Sequence, residues 1–134
     1  VTRAAIALLL AGCATSHELA PDCIAGGEMS AAECSASLDA IAAEYGVPEL
    51  RPCLSGVTLY RAPDVAAMAD ACLIEERPEE VVGCYFEWEG GYVIAIRADV
   101  HGELLATAWR HEVLHRLSWC ATGDADTEHA GEFF

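Results

Sequence analysis

There is no lysine in this chain. All seven basic residues are Arg, 22 residues are acidic, and the formal net charge is −15. So cation-poor a surface argues against a nucleic-acid partner, because phosphate contacts draw on clustered Lys and Arg. It argues equally against electrostatic adhesion to anionic lipid. No C-x-x-C pair occurs, so neither a zinc knuckle nor a thioredoxin-like redox site is supported. Internal repeats and low-complexity tracts are absent as well. A length of 134 residues fits one domain, and 54% apolar content is enough for a buried core.

The N-terminal stretch is set apart by its order of residue types. Arg3 is a short positive region, residues 4–10 are apolar, and Leu10-Ala11-Gly12-Cys13 follows. Seven apolar residues fall far short of the ~20 that span a bilayer as a helix, so the segment reads as a cleaved export signal. Leu-Ala-Gly-Cys resembles the lipobox of bacterial lipoproteins. The resemblance implies that residues 1–12 are removed and that Cys13 carries lipid, anchoring the protein in the bacterial cell envelope. Residues 13–28 mix Ser, Thr, Pro and Gly with little periodicity, as a lipidated tether does. The folded domain is expected over residues 29–134, as a monomer.

Without Cys13, six of the seven Cys remain: Cys23, Cys34, Cys53, Cys72, Cys84 and Cys120. An even number in a small exported domain implies up to three disulfides, with fifteen connectivities open. A Cys72–Cys84 bridge is favoured, because it would clip a connecting loop to the first strand of a hairpin.

Ser30 is placed to N-cap a helix, with Glu33 completing a capping box. That helix should reach Tyr45, bury Cys34, Leu38, Ile41 and Tyr45, and end at Gly46 and Pro48. Residues 56–61 alternate and are β-prone. Pro63-Asp64 opens a short helix to about Leu73, and residues 75–80 form a solvated charged turn. Residues 81–88 and 92–97 flank Glu89-Gly90-Gly91, a hairpin signal. One hairpin strand is thereby placed to offer its edge to an extended peptide. Residues 99–102 turn into a last helix from Glu103 to about Ala121, which Gly123 stops. The expected fold is α+β: a small mixed or antiparallel sheet with a hairpin, packed on helices, and a site-bearing helix near the C-terminus.

That last helix carries His111-Glu112-Val113-Leu114-His115, an H-E-x-x-H motif. Residues four apart leave one helical face, so both imidazoles can grip one metal ion. Glu112 projects about 100° round the helix, within reach of a water at the metal without being a ligand. Leu104, Ala108, His111 and His115 share a stripe, while Val113, Leu114 and Leu117 supply the apolar remainder. Two His nitrogens suit Zn²⁺, and a third protein ligand is then required. His129 is the first choice: residues 122–129 span over ~20 Å if extended, ample to return to the helix. Asp126, Asp124 and Glu128 are the rivals, and an acid that does not ligate would be free to orient a ligating His. His17 and His101 are read as surface residues.

The layout resembles the zincin metallopeptidases, in which a sheet precedes the H-E-x-x-H helix and an edge strand above the metal pairs with substrate backbone. The metzincin extension is missing, since Ser118 and Ala121 stand where it has Gly and His and both Met lie upstream. The tail Gly123-Asp124-Ala125-Asp126-Thr127-Glu128-His129 resembles that of minimal zincins in short bacterial lipoproteins. The resemblance implies a zinc peptidase acting on peptide or protein substrates, with His111, His115 and His129 on zinc and Glu112 as general base. Tyr85, Tyr92, Arg116 or a main-chain N–H would stabilise the oxyanion. Two alternatives stay open: a lipid-anchored, disulfide-stapled binding module whose metal site does no chemistry, and a zinc amidase acting on cell-wall peptides.

Overall fold

Helix α1 (Ala31–Glu44) begins where Ser30 accepts a hydrogen bond from the Glu33 N–H at 3.1 Å, satisfying one of the donors that the first turn leaves open. Its buried side is Cys34, Leu38, Ile41 and Ala42, spaced for one helical face; Tyr45 is half-buried at its end. The computed structural model describes residues 23–24 and 29–134. The expected signal, Cys13 with its expected lipid, and His17 lie outside the described residues.

Pro48–Leu54 forms a 3₁₀ segment that the sequence reading passed over. Strand β2 (Val57–Ala62) follows, then helix α2 (Val65–Cys72), N-capped by Asp64, whose carboxylate accepts from the Ala67 N–H at 2.8 Å. Strands β3 (Gly83–Trp88) and β4 (Gly91–Arg97) make the expected hairpin. Its two connecting residues, Glu89 and Gly90, both hold positive φ (39° and 80°), the primed geometry that matches strand twist. Helix α3 (Gly102–Thr122) ends at Gly123, whose left-handed φ of 79° lets its N–H bond Trp119 O at 2.8 Å.

The fold is α+β. One short strand precedes all of this: Cys23–Ile24, read from sequence as tether, forms β1 beside β2. The sheet order is β1-β2-β4-β3, with β1/β2 and β2/β4 parallel and β3/β4 antiparallel. Strand β4 is therefore internal, buried from Tyr92 to Ile96, and cannot offer an edge to a peptide. That edge belongs to its hairpin partner β3. Gly91 lets β4 start there: a Cβ on it would stand 2.4 Å from Gly56 O, so the close backbone approach requires glycine.

Val57, Leu59, Tyr92, Ile94 and Ile96 face α1 and α3 in the main core, with Leu105, Trp109, Val113 and Leu117 of α3 packed on them. Ala62, Ala95 and Met68 form a smaller cluster under α2 on the opposite face. Leu104, expected to extend the inward stripe of α3, is 54% exposed; the inward stripe runs one residue later, through Leu105. Disulfides Cys23–Cys34, Cys53–Cys120 and Cys72–Cys84 join β1 to α1, the 3₁₀ segment to the end of α3, and the end of α2 to β3. The favoured Cys72–Cys84 pair is among them. Three disulfides point to an oxidising, exported compartment. No helix among the described residues is long and apolar enough to cross a membrane.

Candidate metal centre

One turn of α3 delivers the first two imidazoles. The ring centroids of His111 and His115 lie 4.9 Å apart, and those of His129 lie 4.8 and 5.0 Å from them. The candidate ligand nitrogens of all three fall within 4.8 Å of one another, close enough to share one ion. Burial lowers the proton affinity of His111 and His115, and for His111 the two neighbouring imidazoles add to the effect. The lone-pair form that a metal needs is favoured by both.

The tail that returns His129 is built from its own carboxylates. Ser118 Oγ donates to Asp124 O at 2.8 Å, and Asp124 Oδ1 accepts from the Asp126 N–H at 2.8 Å. Asp126 then takes the N–H groups of Ala130 and Gly131 at 2.8 and 2.7 Å; those bonds hold its pKa below the usual carboxylate value. This clasp bends residues 126–131 tightly enough to put Asp126 and His129 themselves at positive φ, 53° and 56°. With both its oxygens on the backbone and Asp124 spanning the loop's start, the two Asp rivals serve as loop builders, and His129 carries the third nitrogen. Removing the clasp should show this. Asp126→Ala is expected to lower the site's metal affinity by roughly 10- to 100-fold, the usual effect of losing a group that holds a ligand in place. A chelator-competition titration checks it, with unchanged circular dichroism as the control.

Orientation of His115 is fixed from behind. Its Nδ1 lies 2.7 Å from Ala125 O, so Nδ1 carries the proton and Nε2 presents its lone pair. That Nε2 stands 3.3 Å from His129 Nε2. Two nitrogens at tetrahedral vertices around zinc, with bonds of about 2.0–2.1 Å, are separated by about 3.3–3.4 Å. Three imidazoles are a donor set that Zn²⁺ takes, and the His115–His129 spacing matches it, with all three candidate nitrogens within 4.8 Å of one another.

Glu112 lies 6% exposed on the side of α3 that faces β3, with burial raising its pKa to about 7. Gly83 makes the room: a Cβ there would meet Glu112 Oε1 at 3.2 Å and Ala95 O at 3.4 Å. A groove of about 360 Å³ opens beside it, between Leu104, Thr107, Ala108 and His111 of α3 and the chain from Glu80 to Gly83. Glu80, the last residue of the charged turn, thus reaches the groove.

Two of the side chains expected near an oxyanion are committed elsewhere. Arg116 is buried between the Tyr92 and Trp119 rings, 4.6 and 4.4 Å from their centroids. It donates to Cys53 O at 3.0 Å and to Glu87 Oε1 at 2.7 Å. The Tyr92 hydroxyl donates to Leu54 O and is 1% exposed. Tyr85, half-buried on the α3 side of β3, donates to Glu87, and burial lifts its pKa to about 12. His101 is the exposed N-cap residue of α3.

The last two residues were missed. Phe133 is buried against Tyr45 at 5.7 Å and anchors the tail. The Phe134 ring stands 4.5 to 5.4 Å from all three imidazole centroids. Two adjacent aromatics ending an otherwise polar tail were the signal available in the sequence. Compared with family models, with curated proteins and with solved structures, the chain matches none.

Proposed function

We propose that the chain is a zinc-dependent hydrolase of the zincin type, acting as a peptidase. One observation supports this above the rest. His115 donates its Nδ1–H to Ala125 O, and its Nε2 faces His129 Nε2 at 3.3 Å, with His111 alongside. A His115 Nε2 lone pair aimed into a cluster of three imidazoles is what a cation site presents, and three imidazoles are the donors Zn²⁺ takes in catalytic sites. A zinc ion held by His111, His115 and His129 supplies a Lewis acid and a water of lowered pKa. Glu112 is outside that set but adjacent to it, in a buried position against Gly83. Its carboxylate takes the proton of the attacking water and returns it to the leaving amine.

The free edge of β3, beside the groove, suits an extended peptide backbone. On the same reading, residues 1–12 are an export signal and Cys13 carries the lipid that holds the protein in the cell envelope; the three disulfides agree with export. Metal analysis of the purified protein is expected to return one zinc per chain. Cleavage of a mixed peptide library should stop with chelator and return with added zinc. Cleavage indifferent to chelator, or a protein that takes up no zinc, overturns the reading.

Phe134 favours a second reading. A ring set against all three imidazoles is suited to a closed structural site in a binding module. That protein would hold zinc and cleave nothing.

A further inference from the structure

Leu73 contradicts its surroundings twice. It ends α2 in the left-handed conformation, φ 54° and ψ 46°, where glycine is the usual residue. Its side chain is also 88% exposed. A position that is strained and leaves a large aliphatic group in water serves something other than the fold. The Cys72–Cys84 disulfide fastens the neighbouring residue to β3, so Leu73 is held beside that strand. Between the two lies a cleft of about 520 Å³, bounded by Leu73 and Ala71 on one side and by Cys84, Phe86 and the 60% exposed Trp88 on the other.

The strand itself is unguarded. Its sequence, Gly-Cys-Tyr-Phe-Glu-Trp, has no Pro and no Lys to discourage pairing. The Arg97 N–H bonds Val82 O at 3.0 Å; with the register Gly83↔Ile96 through Trp88↔Gly91, antiparallel alternation turns the N–H and C=O of Gly83, Tyr85 and Glu87 outward. The side chains divide the other way. Gly83 and Glu87 meet Glu112 and Arg116 of α3, whereas Cys84, Phe86 and Trp88 face the α2 side.

We propose that the cleft between the end of α2 and β3 is a second side-chain subsite, taking an aliphatic or aromatic side chain of an extended peptide paired along β3. It rests on the peptidase reading for its occupant, though the cleft lies on the sheet face away from the histidines. Because side chains of a paired strand alternate between faces, the residue seated against Leu73 is an odd number of positions from the one over Glu112. Asp70 stands at the rim, so an acidic side chain is refused.

The test uses full-length zinc-loaded protein carrying Glu112→Gln, which binds without needing to cut. The probes are two capped alternating peptides, Thr-Leu-Thr-Leu-Thr-Leu and Thr-Asp-Thr-Asp-Thr-Asp, followed by NMR. The Leu peptide is expected to bind about tenfold or more tightly than the Asp peptide, as burial of one aliphatic side chain implies. It should shift the Leu73 methyls, the Trp88 indole N–H and the outward amides of Tyr85 and Glu87. Adding Leu73→Gly removes the strain and the side chain together. That variant should unfold no earlier than its parent and lose the preference; adding Trp88→Thr should reduce it too.

Binding that leaves Leu73 and Trp88 unshifted, or a preference that survives Leu73→Gly, overturns the subsite. So does concentration-dependent shifting of the same signals without peptide, which would make a second copy the occupant. If the preference appears as described while wild-type protein cuts neither peptide, the subsite stands and the peptidase reading falls. Cleavage indifferent to Leu73→Gly has the opposite meaning.

Discussion

Glu112→Gln is expected to reduce peptide hydrolysis by a factor of about 10² to 10⁴, the range associated with losing a positioned general base, while the protein still takes up one zinc. The substitution isolates proton transfer. Gln has the shape of Glu, so the packing against Gly83 is kept, and the ligand nitrogens belong to other residues. Folding should not suffer, because Glu112 is 6% exposed and burial raises its pKa to about 7. A neutral amide suits such a place at least as well as a charge does. Single-turnover cleavage and zinc content, measured on the same sample, check the prediction. Turnover near the wild-type rate would remove Glu112 from the chemistry, whereas loss of zinc together with activity would mean that the carboxylate has a structural part in the centre.

That the centre was legible in the sequence follows from how it is made. His111 and His115 are related by helical geometry alone, and a helix of 21 residues with a glycine stop announces itself through local propensity. The return of His129 needed only chain length and a reversal. Asp126 shows the limit: a carboxylate near a metal site is a ligand or a loop clasp by virtue of its neighbours' N–H groups, and those appear only when residues 126–131 are folded. Arg116 illustrates the same point. Its contacts with Tyr92, Glu87 and Cys53 join α3 to three elements distant in sequence, and nothing local distinguishes it from a cation available to substrate.

The fold divides similarly. The hairpin carries its own turn signal, but strand β1 is two residues in a stretch of Pro and Gly, and it exists through β2 and the Cys23–Cys34 bond. The parallel pairing of β2 with β4 brings together strands that the sequence separates by a helix and another strand. Which hairpin strand kept a free edge depended on that pairing.

Removing the Cys53–Cys120 disulfide should be the largest single loss of stability available outside the core. It closes the longest loop of the three, 67 residues against 11 and 12. The entropy of closing such a loop is worth about 4 kcal/mol to the folded state. Cys53→Ala with Cys120→Ala is therefore expected to lower the melting temperature by roughly 20 °C, and the corresponding Cys72/Cys84 pair by less. The bond's position gives the loss a functional direction. Cys120 is near the end of α3, three residues before the Gly123 turn from which the tail departs, while Cys53 stands in the segment whose carbonyl receives Arg116. Loosening that end should free the path back to His129 before it disturbs His111 and His115. Zinc affinity ought to fall in the double variant at temperatures where its circular dichroism is still native. If the melting point drops and zinc is held as tightly as before until the chain unfolds, the tail is positioned by the Asp126 clasp and the Phe133 anchor alone.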